Sequence, residues 1–226
     1  MMDKAHCPLC GGGEHREFGR DARRHYLRCD RCALVWVPSE YYLDRVQERS
    51  EYDKHENNPA DPGYRRFLNR LCQPLLAALP PASRGLDFGC GPGPALAHML
   101  RDAGHCVDLY DSFYYPDSRL LADTYDFVSA TEVVEHLHRP GAELQRLWGM
   151  LRGGGVLAVM TKLVLDESAF SRWHYKNDPT HVVFFSQQTW QWWARQNSAL
   201  MEQHGADVVL LHKPGQASSS RASILR

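Results

Sequence analysis

The chain has 226 residues, with 26 lysines and arginines against 27 aspartates and glutamates, for a formal net charge of −1. Charges that cancel this closely give no global field to recruit nucleic acid or an anionic membrane. No apolar run approaches the ~20 residues of a membrane helix and no signal-peptide pattern opens the chain, so a cytoplasmic protein is expected, with one core of ordinary size and a small accessory module.

Seven cysteines are present. Cys7 and Cys10 form one Cys-x-x-Cys pair and Cys29 and Cys32 another, separated by 18 residues. That is the spacing of a four-cysteine zinc ribbon, in which two tight knuckles present four thiolates to one tetrahedral ion. All four ligand positions are filled by sulfur, so the zinc is expected to be structural. His25 to Cys29 and Ala33 to Val37 alternate like short strands flanking the second knuckle. A module of ~40 residues has too little core to fold on burial alone, so residues 1–38 are expected to depend on the metal and to unfold alone when it is removed. His6, His15 and His25 are expected at the surface.

Residues 39–83 read as a linker and a helix. The first part is polar, with Tyr41, Tyr42, Tyr52 and His55 embedded in it. Gly63 to Leu79 then carries an apolar stripe at helical spacing, through Phe67, Leu68, Leu71, Leu75 and Leu76. Pro74 is expected to kink or interrupt it.

An α/β core is expected over 84–214. A short apolar run ends in Asp87, and Gly89, Gly91 and Gly93 follow before a helical pattern to Ala103. Alternating glycines let the backbone turn sharply and approach a ligand, and the helix after them aims unpaired N–H groups at it. Asp111 closes the next apolar run, at the spacing of the ribose-binding acid in a nucleotide-binding βαβ unit. Any strand between Asp111 and Asp123 must be brief. Tyr125 to Thr131 reads as a buried strand running into Glu132-Val133-Val134-Glu135-His136. Pro140 to Leu151 reads as a helix ended by Arg152 to Gly155, and Val156 to Thr161 as the next strand. The irregular stretch 163–186 gathers Trp173, His174, Tyr175, Lys176, Asp178 and His181. Ser186 is expected to cap a helix to Gln196, and two segments about His204 to Ala206 read as an antiparallel pair. Residues 215–226 are expected to be disordered.

Asp87-x-Gly89-x-Gly91-x-Gly93 resembles the first motif of class I S-adenosylmethionine (SAM)-dependent methyltransferases. The stretch from Asp126 through Glu132, Glu135 and His136 is similar to that of its small-molecule members, ubiquinone-type O-methyltransferases among them, and Leu151 to Gly155 resembles the turn before the fifth strand. The resemblance implies a Rossmann-like sheet with helices on both faces and a closing antiparallel hairpin. It implies SAM as cofactor, held by Asp87, Gly89, Gly91, Gly93 and Asp111, with Glu132 toward the ammonium group and the helix before the first strand as a lid. Asp123 is a weak candidate for the adenine contact. Glu135 and His136 are read either at this site or as caps of the following helix.

SAM carries its methyl group on a sulfonium, so the protein has to align a nucleophile and, for a hydroxyl, remove a proton. His181 is the first candidate base, with Asp178 to orient it, and His174 the second. Tyr52 and His55 are candidate substrate contacts. The expected acceptor is a small molecule. A competing reading is an RNA methyltransferase that uses the basic ribbon residues Arg20, Arg23, Arg24, Arg28 and Arg31 for RNA contact. A third is a non-catalytic SAM-binding or interaction module.

Overall fold

The computed structural model describes residues 6–54 and 57–215. His55 and the tail from 216 onward lie outside the described residues. The two cysteine knuckles carry between them an antiparallel sheet of β1 (His15–Arg20), β2 (His25–Cys29) and β3 (Val35–Trp36). Helix α1 (Arg45–Tyr52) follows, within the stretch expected to be linker. Its signal was present in the sequence: Asp44 accepts from the backbone of Val46 and Gln47, and the Gln47 side chain returns a bond to Asp44, a capping box. Helix α2 (Pro62–Ala78) starts on the Asp61 cap and runs through Pro74 without interruption. Burial of Leu68, Leu71, Cys72 and Leu75 along one face holds the turn around the proline together.

The second sheet comprises β4 (Arg84–Phe88), β5 (Cys106–Tyr110), β6 (Tyr125–Thr131), β7 (Leu151–Met160), and later β9 (Leu200–His204) and β10 (Val208–His212). Its spatial order is β5-β4-β6-β7-β10-β9. The first four strands are parallel, and β10 runs antiparallel to both neighbours. Helix α3 (Ala95–Asp102) and α2 cover one face, through Leu96, Leu100, Leu71 and Leu75 against Phe127, Ala158 and Leu210. Helices α4 (Pro140–Met150) and α6 (Gln187–Gln196) cover the other, through Leu147, Trp148, Trp190 and Trp193. Ser186 caps α6 as expected.

Between β5 and β6 there is no further strand, only an Asp111–Tyr115 bridge and a 3-10 turn at Ser118–Ala122. The glycines after α4 do not lie before the strand but within it. Strand β7 starts at Leu151, opposite Tyr125, and is irregular there because Gly154 takes φ 82° and donates to the Lys213 carbonyl.

The stretch 163–186 is more ordered than its sequence suggests. It holds the short helix α5 (Glu167–Ser171), a 3-10 turn (His174–Asn177) and β8 (Val183–Phe184). Strand β8 pairs with β3, Val35 opposite Phe184 and Trp36 opposite Val183, so it is the fourth strand of the ribbon's sheet. Phe18, Tyr26, Phe170 and Phe184 pack edge to face across this junction. The ribbon's core and one face of the central sheet are therefore a single hydrophobic cluster. This does not fit the expectation that the module would unfold alone.

Candidate functional site

Strand β4 delivers its C-terminal end into the glycine turn. Gly89 and Gly91 take φ of 72° and 63°, a region that side chains disfavour. A Cβ on Gly93 would stand 1.7 Å from the Asn57 carbonyl oxygen, so the segment before α2 lies directly over the turn. Asp111 is buried. It accepts from the Gly91 N–H at 3.0 Å through one oxygen and from the Phe113 and Tyr114 N–H groups through the other. A carboxylate has about four acceptor sites, so at least one stays available for a ribose hydroxyl. Asp87 lies beneath the turn, 3% exposed, and accepts from Ser129 Oγ at 2.7 Å. Burial pushes its carboxyl up to about 6.

A cavity of about 890 Å³ begins at this turn and at Asp111, passes Tyr64, and ends at Glu132, His136, Tyr175, Asp178 and His181. The cradle fits SAM: glycines without side chains at one end, a ribose-spaced carboxylate beside them, and carboxylates further in. Tyr52 lines the cavity too, edge-on to His136 at 5.2 Å. A second cavity, of about 680 Å³ beside Phe18, Asp166 and Gln188, is lined by Arg28 but by none of the candidate catalytic, cofactor or metal residues.

At the far end, Tyr175 Oη donates to Glu135 and lies 3.2 Å from Glu132 Oε2. Burial raises the pKa of both carboxyls, and the Glu132 charge adds to the effect on Glu135. Glu132 adopts φ 53°, in the left-handed region. Glu135 is fully buried and does not cap α4, whose N-cap is Arg139 without a side-chain bond. His181 Nδ1 bonds to the Tyr175 carbonyl at 2.7 Å and its Nε2 lies 3.8 Å from Asp178 Oδ2. His174 stands outside the cavity, exposed, with Nε2 3.1 Å from Lys162 Nζ. Asp123 is also outside, bound to Arg84 at 2.8 Å.

The ribbon reaches this end of the cavity. Arg24, 7% exposed, donates to the carbonyls of Lys176, Asp178, Pro179 and His181. Asp21 meets Lys176 Nζ at 2.6 Å, and Arg23 binds Asn177. These partners lie about 150 residues apart in sequence, and no local pattern announces them. In the ribbon itself the Sγ atoms of Cys7 and Cys32, and of Cys10 and Cys29, are 3.5 Å apart, with all four within 4.8 Å. Ligands at the usual ~2.3 Å from zinc stand ~3.8 Å from one another in a tetrahedron, so the set fits that ion.

Residues 61–199, more than half of the chain, match the family model described as a methyltransferase domain. A search of curated proteins gives no significant match. Among solved structures, the chain is similar to the 1,6-didemethyltoxoflavin-N1-methyltransferase of Burkholderia thailandensis, whose structure contains S-adenosylhomocysteine. The identity is 16% over 88% of this chain and 99% of that one, with a TM-score of 0.54. An O-methyltransferase family protein from Burkholderia thailandensis is 15% identical over 74% of this chain and 63% of that one, at a TM-score of 0.49. At 16% identity the likeness to the first of these speaks for the fold alone, and the matched family model carries the assignment. The chain belongs to the methyltransferase-domain family and is a class I SAM-dependent methyltransferase.

Proposed function

We propose that the enzyme methylates a small molecule, bound in the far part of the cavity, with the cofactor lying from the glycine turn and Asp111 toward Glu132. SAM supplies a methyl group already activated by its sulfonium charge. The chain's own residues do the rest. Asp111 and the turn hold the adenosine end, Glu132 faces the ammonium group, and the segment over Gly93 together with α2 closes the cofactor off from water. The acceptor loses its proton at the end where His181, His136 and Tyr175 converge. Tyr52 and Tyr175 give that end an aromatic wall, which suits a phenolic ring of the kind ubiquinone-type O-methyltransferases act on. We also propose the division into residues 1–38, 39–83 and 84–214, and a reducing cytoplasmic setting, in line with seven cysteines of which none is bridged.

The observation that carries this reading is the single cavity joining the glycine turn to the His136–His181 end. The RNA reading loses part of its support in the ribbon, where Arg24 is buried while Arg20, Arg23 and Arg31 stay exposed. Arg23 and Arg24 are bound to the loop 176–181, Arg28 to Gln188 at 2.7 Å, and Arg31 lies over the Trp192 ring. A screen of phenols, sugar nucleotides and RNA against methyl-labelled SAM tests the proposal. Label is expected in a small molecule, and transfer to RNA alone would overturn it.

A further inference from the structure

At the far end of the cavity two carboxylates each have one buried oxygen without a hydrogen-bond partner: Oε1 of the half-buried Glu132 and Oε2 of the fully buried Glu135. Buried polar atoms are nearly always paired, and an exception calls for a cause such as an ion. Glu135 is 0% exposed, so solvent does not supply the partner. Beside it stand two histidines, and ligand atoms of Glu135, His136 and His181 all lie within 4.8 Å of one another.

The orientation of the rings adds a second, independent observation. His136 Nδ1 lies 3.2 Å from the Thr180 carbonyl, and His181 Nδ1 2.7 Å from the Tyr175 carbonyl. A carbonyl can only accept, so both bonds place a proton on Nδ1. In the neutral ring the lone pair then belongs to Nε2. Such a bond to a backbone carbonyl is what fixes a metal-binding imidazole. The rings meet at 4.6 Å between centroids, inclined at 68°, and His136 Nε2 is 4.0 Å from Glu135 Oε1.

We propose that Glu135, His136 and His181 hold a divalent cation of the first transition row, with its open positions toward the cavity. Two imidazoles and one carboxylate suit manganese, iron, cobalt or zinc, and are too nitrogen-rich for calcium. The role of the ion rests on the acceptor site proposed above, and it names the acceptor class: a compound that presents a hydroxyl oxygen. A coordinated hydroxyl is more acidic. It releases its proton to water as its oxygen bonds the methyl carbon, while the sulfonium sulfur keeps the pair of the broken S–C bond. His181 then serves as a ligand, since a nitrogen bound to the ion cannot take that proton.

The test counts ions on the full chain. Protein saturated with Mn²⁺ and freed of excess is expected to carry about two divalent ions, one at the cysteines and one here. Manganese, a harder ion, avoids the thiolates, so its electron paramagnetic resonance reads this site alone. Glu135→Gln and His136→Gln are each expected to weaken Mn²⁺ at least ~10-fold, the usual effect of losing a contact in a metal site. Titration with S-adenosylhomocysteine, unchanged within ~3-fold, would show that both variants remain folded. One ion per chain, or Mn²⁺ held as tightly by both variants, overturns the inference. In that case His136 and His181 serve only as hydrogen-bond partners of the loop carbonyls. That outcome leaves the small-molecule reading standing, whereas a failed acceptor screen leaves the counted ion in place.

Discussion

Asp87 shows what one buried carboxyl beneath the glycine turn costs the fold. It is 3% exposed, and burial raises its pKa from 3.8 to about 6. The folded chain therefore holds this proton more tightly than the unfolded chain does. The stability linked to it is complete below pH ~4 and is lost as pH rises through ~6. A shift of about two units corresponds to about 3 kcal/mol at most. Asp87→Asn keeps an acceptor for Ser129 Oγ and removes the buried charge. The variant is expected to melt higher than the wild type at pH 7.5, with the difference vanishing near pH 4. An unchanged or lowered melting temperature at pH 7.5 would show that the carboxylate is better solvated than its burial indicates. Asp111 is of another kind: three backbone N–H groups already point at it, so it shapes the turn before any ligand arrives.

At the scale of elements, the junction of β3 with β8 matters most. Val37 donates to the Val182 carbonyl at 2.9 Å just beyond the paired residues, and Arg24 gathers four carbonyls of the loop that leads into β8. A metal held by the two cysteine knuckles would thus also position His181. Replacing Cys29 with serine is expected to lower the zinc content from about one per chain at the knuckles toward none. Amide exchange over residues 176–184 is expected to speed up together with β1–β3, while β4, β6 and β7 keep their protection. Loop protection that survives loss of the zinc would contradict this coupling. The elements that the sequence announced are those with a local cause. Periodicity marked α2, alternating glycines marked the turn after β4, and knuckle spacing marked the four cysteines. Strand β8 has two residues and exists only because β3 lies beside it. Helix α1 buries no residue, so no apolar stripe marked it, although its capping box was readable.

For the molecule as a whole, one cavity joins two ends of different legibility. The glycine-turn end was readable as a cluster, because Asp87, the three glycines and Asp111 lie within 25 residues and follow one another in order. The far end was readable only as a list of residues. Glu135 comes from a segment 40 residues before the loop that carries Tyr175 and His181, and His174, in that same loop, points elsewhere. What joins them is a set of long-range bonds from the ribbon and the buried Glu135, whose place no local pattern states. The arrangement makes the two ends separable by mutation. Titration calorimetry with S-adenosylhomocysteine on the wild type, Gly91→Val and His181→Ala tests this most directly. Gly91→Val forces a branched side chain into a left-handed turn at the cofactor end and is expected to abolish binding. His181→Ala is expected to keep the wild-type affinity within ~2-fold, since it removes nothing that touches the adenosine. Full affinity in Gly91→Val, or its loss in a folded His181→Ala, would contradict the account.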